Sequence, residues 1–345
     1  MNKPKVMYIL RQYPQISETY IQTEIDAVSD DFEVIVIALQ DAGKAGNTTY
    51  ERHTPYLVIN DLSQLSNAVR MFRPQLLHTH WLISLPLVSR IAKTFNLPFT
   101  VRAHSFDTLS DDPRLAHWFE SAPRVMPETS HDPLCLGILA FPFSRAFLKS
   151  SGTDMTKVVE CYPCIDYKRF HDRTPNGEAI MNVGACIPKK RMEDFLELGQ
   201  RLPDQRFNLY PLSYDTEALA DKNTAMGSPV TINSPVEPAL MPAEYKKHRW
   251  LVYTADTQIS SIGWPLSIAE AQASGVGVLL PAVRRDIETY LAGSGYVYRS
   301  LEEACAIISA PVPEAMRDVG FANARKSDVS EHKNLLTGLW SQVVG

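Results

Sequence analysis

The sequence predicts an α/β protein made of two doubly wound parallel sheets that face each other across a cleft. Three observations lead there. Short apolar runs alternate with longer amphipathic stretches from end to end, the pattern of parallel strands covered by helices. The alternation restarts in the second half. Between the halves, residues 171–178 (H-D-R-T-P-N-G-E) form a polar Pro/Gly segment suited to a linker. The length of 345 residues fits a little over two domains, at about 150 residues each.

Taken in order, residues 6–10 and 34–39 read as buried strands. Between them, residues 19–28 carry Tyr20, Ile21, Ile25 and Val28 at helical spacing, with Ser17 as a candidate N-cap. Residues 76–80 and 99–104 read as two further strands, each ending in a histidine (His80, His104) where a loop should begin. In the second half, 180–184 reads as a strand and 191–202 as a helix. Strands follow at 207–212, 250–254 and 277–280, the last preceded by a helix through Glu270. Ligands of such sheets bind beyond the carboxyl ends of the strands, so the strand-end loops are where chemistry is sought.

Composition narrows the function classes. Hydrophobic residues are 45% and charged residues 21%, which excludes wholesale disorder. Lys+Arg 34 against Asp+Glu 39 gives a net charge of −5, without the basic field of a general nucleic-acid binder. No apolar run reaches 18 residues, so no transmembrane helix is expected. The apolar N-terminal stretch breaks at Arg11 and Gln12 with no small-residue cleavage site after it, so it reads as the first strand of a cytosolic protein. Five cysteines in a long chain argue against a disulfide framework.

Several motifs are missing. There is no G-x-G-x-x-G after the first strand, no P-loop, no G-x-S-x-G elbow and no D-x-D. Cys161 and Cys164 form a lone C-x-x-C, read as two semi-buried thiols. His78 and His80 share one side of a strand end, but no third metal ligand is evident, and no metal site is expected. The strongest segment is G-W-P-L-S-I-A-E-A-Q-A-S-G-V-G-V-L at 263–279. Gly263 and Pro265 make a turn and a helix starts near Leu266 or Ser267. The free amides of that helix start are a natural phosphate site. Glu270, one turn in, is placed to accept hydrogen bonds from vicinal hydroxyls, as carboxylates do on a ribose.

That segment resembles the signature of GT-B glycosyltransferases of the retaining, family-4 type, E-G-F-P-x-x-x-x-E-A-x-A-x-G-x-P-V. Five further segments are similar in the same order: Y-P-Q-I-S-E-T-Y-I at 13–21, R-P-Q-L-L-H-T-H-W at 73–81, T-V-R-A-H-S-F-D at 100–107, P-C-I-D-Y-K-R-F at 163–170 and V-G-A-C-I-P-K-K-R at 183–191. The resemblance implies two Rossmann-like domains, an acceptor-side domain at 1–172 and a nucleotide-sugar domain at 173–318. It also implies a C-terminal helix at 319–345 crossing back to the first domain. By the same resemblance Glu270 holds the ribose and Lys190 meets the donor diphosphate. Gly184 belongs to the phosphate loop, and the backbone of Leu266 and Ser267 completes the cradle. His104 lies near the transferred sugar, and Ser17, Glu18 and Thr19 line the acceptor side. Asp107, three residues after His104, either orients an acceptor hydroxyl, acts as a weak base or caps a helix.

Two departures stand out. The first glutamate of the family's E-x7-E pair is Ile262, and the phosphate-loop arginine is Ala185. Arg191, or an arginine from the loop of Arg284 and Arg285, is a candidate to replace the lost charge. Trp81 and Trp264 flank the expected cleft as wall or as sugar platforms. The resemblance implies a retaining, metal-independent transferase moving a sugar from a nucleotide-sugar to a glycan or lipid-linked acceptor. No cofactor, no metal and no nucleic-acid partner are expected. The expected location is cytoplasmic, with peripheral association at the inner membrane face left open. Two alternatives remain: a GT-B-shaped binding protein without turnover, and a nucleotide-sugar 2-epimerase-like enzyme.

Overall fold

The computed structural model describes residues 3–43, 54–110 and 112–344. It contains two fully parallel sheets. The first joins β1 (Lys5–Tyr13), β2 (Glu33–Asp41), β3 (Tyr56–Val58), β4 (Leu76–His80), β5 (Phe99–Arg102), β6 (Cys135–Ala140) and β7 (Val158–Glu160) in the order β3-β2-β1-β4-β5-β6-β7. The second joins β8 (Ala179–Cys186), β9 (Phe207–Tyr214), β10 (Thr231–Ile232), β11 (His248–Val252), β12 (Gly277–Pro281) and β13 (Tyr296–Tyr298) in the order β10-β9-β8-β11-β12-β13. Parallel neighbours need crossover connections, which the intervening helices supply. Val6, Met7, Tyr8, Ile9 and Leu10 are all buried, as a strand covered on both faces requires.

In each sheet the order reverses once, between β1 and β4 and between β8 and β11. A reversal leaves a crevice at the strand ends because the flanking crossovers run to opposite faces. The two crevices open onto one cleft, so the loops after β1, β4, β8 and β11 meet there.

The element boundaries differ from the sequence reading in instructive ways. β1 runs past the break at Arg11 to Tyr13, held by pairing with β2 as far as Asp41. The strand read at 99–104 stops at Arg102, and His104 instead caps the short helix Ser105–Thr108. Ser17 is not the cap of the helix Thr19–Ser29. It lies in the 3-10 turn Ile16–Glu18 and its hydroxyl accepts from Gln15 Nε2 at 2.8 Å, while Glu18 occupies the cap position.

The chain crosses between halves twice, side by side. Ile165 N–H donates to Ser327 O and Val329 N–H to Ile165 O, at 2.8 and 2.7 Å. Tyr167 and Phe170 already belong to the core of the second half. The helix Glu314–Ala324 also stays there, its Asn323 amide bonded to Tyr290 O at 2.9 Å. The expected divisions at 172 and 318 therefore lie inside packed structure, and the crossings fall near 161–166 and 325–328. The helix Val329–Val344 then packs on the first half, where Leu336 and Trp340 complete a core with Val6, Tyr8, Ile21, Ile25 and Phe32. The segment at 171–178 is tied down: Lys246 Nζ donates to Thr174 O at 2.6 Å, and Asn176 Nδ2 donates to His248 O at 3.1 Å.

Candidate active site

The cleft encloses about 640 Å³, within the usual range for small-molecule sites. Of the expected site residues, Ser17, Glu18, Thr19 and His104 line it from the first half, and Gly184, Lys190, Leu266, Ser267 and Glu270 line it from the second. Arg191 and Asp107 do not.

The helix Leu266–Ala273 starts at the cleft because Gly263 and Pro265 turn the chain there. Pro265 occupies the cap position and offers no side-chain acceptor, so the first-turn amides of Leu266 and Ser267 are uncapped. Such amides carry the positive end of the helix dipole and suit an anion. Beside them, Lys190 reaches the cleft from the 3-10 turn Pro188–Lys190 after β8. Its ammonium lies 5.5 Å from the centre of the Tyr253 ring and packs against Gly184. No carboxylate pairs with it among the described residues. Burial, with Lys189 beside it, lowers its pKa to about 8. Gly184 itself has φ +147, and a Cβ there would sit 2.6 Å from Lys190 Nζ. The glycine thus makes the room that the ammonium fills.

Glu270 accepts the Tyr245 hydroxyl on Oε2 at 2.7 Å, which fixes its carboxylate and leaves Oε1 without a hydrogen-bond partner among the described residues. Burial raises its pKa, with Tyr245 and Arg169 opposing. Across the cleft, Glu18 is pushed up to about 8 by burial, against the charge of Arg11. Arg11, Lys189 and Arg169 also line the cavity and add to its positive character.

His104 is held on two sides. Its Nε2 lies 3.1 Å from His80 Nδ1, and its backbone N–H donates to Asp107 Oδ1 at 2.8 Å. Burial first, with the neighbouring His80 and Arg102, lowers its pKa well below the ordinary imidazole value. Trp81 and Tyr20 pack on the ring at 5.1 and 5.4 Å between centres.

The two misplaced residues have clear causes. Arg191 adopts φ +42, which turns its side chain onto Asp194 at 2.8 Å and away from the cleft. Asp107 is fully buried, and its carboxylate is occupied by the backbone N–H groups of Leu82 and His104. It is the third-position partner of His104 in the capping box of that helix, with each carboxylate oxygen engaged by a main-chain amide and away from the cleft. Arg284 is also engaged elsewhere: it pairs with Asp286, donates to the carbonyls of Ser260 and Ile262, and lies 5.2 Å over the Phe143 ring. Neither arginine replaces the charge missing at Ala185. Ile262 is 2% exposed and forms apolar wall. Trp264 is wall as well, stacked on Tyr290 at 4.7 Å with its indole N–H given to Asp286.

One group of side chains has metal-ligand chemistry. Glu24, His78 and His80 are buried with their ligating atoms within 4.8 Å of one another, so the third member not evident in the sequence is Glu24. Arg102 Nη1 lies 3.2 Å from Glu24 Oε2 and already balances its charge. A divalent ion here would add two positive charges beside a buried guanidinium, so the residues fit a hydrogen-bonded network better than a cation.

The halves touch at the cleft mouth. Ser260 Oγ donates to Leu109 O at 2.7 Å, and Gly263 lies so close to Ser105 that a Cβ would come within 2.8 Å of its Oγ. Two Rossmann-like halves, joined by a double crossing and facing each other across a cleft, define the GT-B glycosyltransferase fold.

Solved structures bear this out. The chain is similar to Anabaena HepE in complex with UDP-glucose (TM-score 0.76, 15% identity, 98% of this chain and 99% of that one). It is likewise similar to sucrose-phosphate synthase from Thermosynechococcus elongatus (TM-score 0.74, 13% identity, 99% of each chain). A third similar structure is WaaG, a glycosyltransferase involved in lipopolysaccharide biosynthesis (TM-score 0.64, 11% identity, 96% of this chain and 100% of that one). No protein-family profile and no curated protein matches the sequence.

Proposed function

We propose that the chain is a glycosyltransferase that moves a sugar from a nucleotide-sugar to a glycan or lipid-linked acceptor, with retention and without a metal ion. The observation that carries this reading is the convergence of three features on one cleft wall. These are the Lys190 ammonium seated on Gly184, the uncapped amides of Leu266 and Ser267, and the Glu270 carboxylate held by Tyr245. A departing nucleoside diphosphate gains negative charge, and fixed donors aimed at that charge lower the barrier. Lys190 and the helix amides are such donors. Arg11, Lys189 and Arg169 supply further positive charge, so charge neutralisation needs no added cation.

On the opposite wall, His104 positions the transferred sugar. Glu18 keeps its proton near neutrality and donates a hydrogen bond on the acceptor side. The contact of Ser260 with Leu109 closes the mouth and excludes water, which limits hydrolysis of the donor. Retention is supported by the likeness of six ordered segments to the retaining family-4 type. Among the described residues no helix is long and apolar enough to cross a membrane. The proposed location is the cytoplasm, at the inner membrane face where the acceptor is lipid-linked.

The first test is thermal stabilisation by UDP, GDP, ADP, TDP and CMP, each with and without Mg²⁺. A ligand at 100-fold its Kd adds about 2.7 kcal/mol. A shift with one nucleoside diphosphate, equal with and without the ion, is expected, and no shift with any of them overturns the donor site. The anomeric configuration of the transferred sugar, read by NMR of the product, then decides retention.

Ile262 and Ala185 favour a second reading, a nucleotide-binding protein without turnover, because neither Arg191 nor Arg284 restores the missing charge. Nucleotide affinity with no transfer to any acceptor distinguishes it.

A further inference from the structure

We infer that Glu24, buried behind the cleft wall, fixes the tautomer of His104 through His80, making Glu24 and His80 positioning residues for the sugar-facing histidine. The inference deepens the transferase reading and rests on it for the role of His104.

Glu24 sits in the buried stripe Ile21, Glu24, Ile25, Val28 of its helix and is 0% exposed. Arg102, which stays protonated, lies 3.2 Å from its Oε2, and the Tyr8 hydroxyl donates to its Oε1 at 3.2 Å. Glu24 is therefore a carboxylate, able only to accept. Although burial works against that charge, the facing His80 and His78 rings hold its pKa well below the usual range.

The rest follows by elimination. His80 Nε2 lies 3.2 Å from Glu24 Oε1, so Nε2 carries the proton. Burial pushes the His80 pKa down to about 4 although Glu24 pulls the other way, so the ring is neutral and its Nδ1 holds a bare lone pair. His104 Nε2 faces that lone pair at 3.1 Å and must donate. His104 is then neutral with Nδ1 unprotonated, and in the capping box its side chain accepts from the Asp107 main-chain N–H.

The second histidine is set from the C-terminal helix. Trp340 Nε1–H donates to Thr100 Oγ1 at 3.0 Å, and the Thr100 hydroxyl is left to donate to His78 Nδ1 at 2.7 Å. His78 Nε2 then lies 3.3 Å from Glu24 Oε1 but makes no hydrogen bond, so Tyr8, His80 and Arg102 are the neighbours that present hydrogens to the carboxylate.

The arrangement has a chemical use. The sugar gains positive charge at its anomeric carbon as the diphosphate leaves. A protonated His104 beside it oppose that change, whereas a neutral ring locked in one orientation does not.

The test uses the full chain labelled with ¹⁵N-histidine, with the His104 ring resonances assigned through His104→Gln. The wild type should show the Nε2–H tautomer. His80→Phe keeps a ring between Tyr20 and Trp81 but removes the acceptor, and should turn His104 into a mixture of tautomers. His80→Asn places a carbonyl oxygen near the former Nδ1 and should restore the single tautomer. Glu24→Gln, whose amide both donates and accepts, should release His80 and give a mixture again, which covers the case of an unfolded His80→Phe.

In kinetics, His80→Phe should lower kcat by roughly 10- to 100-fold, the scale for losing the partner that orients a metal-bound histidine. Nucleotide affinity should stay unchanged, and His80→Asn should recover most of the rate. An unchanged His104 tautomer in both His80→Phe and Glu24→Gln overturns the inference. So does one zinc per chain in the purified protein that disappears in Glu24→Gln. Tautomer changes as stated in a protein that transfers no sugar uphold the network and instead overturn the transferase reading.

Discussion

Replacing Gly184 by alanine tests the phosphate loop without removing any charge. The new Cβ would lie 2.6 Å from Lys190 Nζ, where ordinary contact begins near 3.4 Å. The ammonium must therefore move by about 1 Å, since a flexible lysine end yields before backbone does. A 1 Å misplacement of a catalytic group costs about 10²-fold in rate. The backbone adds its own penalty, because φ +147 is a glycine conformation and an L-residue held there is strained by about 1–3 kcal/mol.

The assay is a double-mutant cycle on kcat/KM, with folding checked by thermal denaturation. Lys190→Ala alone should lose roughly 10²- to 10³-fold, as for one transition-state donor. Gly184→Ala alone should lose about 10²-fold. If the glycine acts only by placing the lysine, the double variant should be no worse than Lys190→Ala. Independent effects would instead multiply. A folded Gly184→Ala protein with wild-type kcat/KM would refute the reasoning, because the cation would then have no fixed place in the reaction.

Three further outcomes are expected. Glu270→Ala should weaken binding of the bare nucleoside diphosphate by 10-fold or more, the scale of one hydrogen bond to a charged group at about 1.5–3 kcal/mol. Unchanged affinity by calorimetry removes Glu270 from the ribose. The kcat/KM profile should fall as pH rises through about 8, because Lys190 is charged below that value and neutral above it. The limb should persist in Glu18→Gln, although Glu18 titrates in the same range, and should move to higher pH in Lys190→Arg. Gly277→Ala should lower the melting temperature clearly with little effect on nucleotide affinity, because its Cβ would strike the Trp250 ring and come within 2.6 Å of Val312.

What the sequence disclosed, it disclosed through continuous segments. The turn, helix and strand that carry Glu270 lie in one continuous segment at 263–279, so the turn, open helix start and carboxylate were readable together. Lys190 and Gly184 were readable for the same reason. The short edge strands β3, β10 and β13, of three residues or fewer, leave too little periodicity to detect.

Arg191 and Asp107 misled because their neighbours decide them: a left-handed backbone turns one toward Asp194, and a helix start consumes the other. Glu24 and Tyr245 were missed because their partners are distant in the chain, His80 lying 56 residues from the first and Glu270 lying 25 from the second. Glu24 did leave a signal. A carboxylate in the middle of an apolar helical stripe must find buried donors, and Arg102 in the buried strand Phe99–Arg102 was the matching half.

The returning helix also orders the molecule in time. Trp340 and Leu336 fill a core whose other members begin at Val6, and Lys333 pairs with Asp31 at 2.9 Å. During synthesis the first sheet is finished at β7, yet the residues that seal its helix-covered face come about 180 residues later. At 5–20 residues per second that is a wait of roughly 10 to 35 s. The second half, whose core is drawn from a later stretch, is free to fold in the meantime. The half made first is therefore the half completed last, and its unsealed apolar face is what a chaperone would meet on a growing chain.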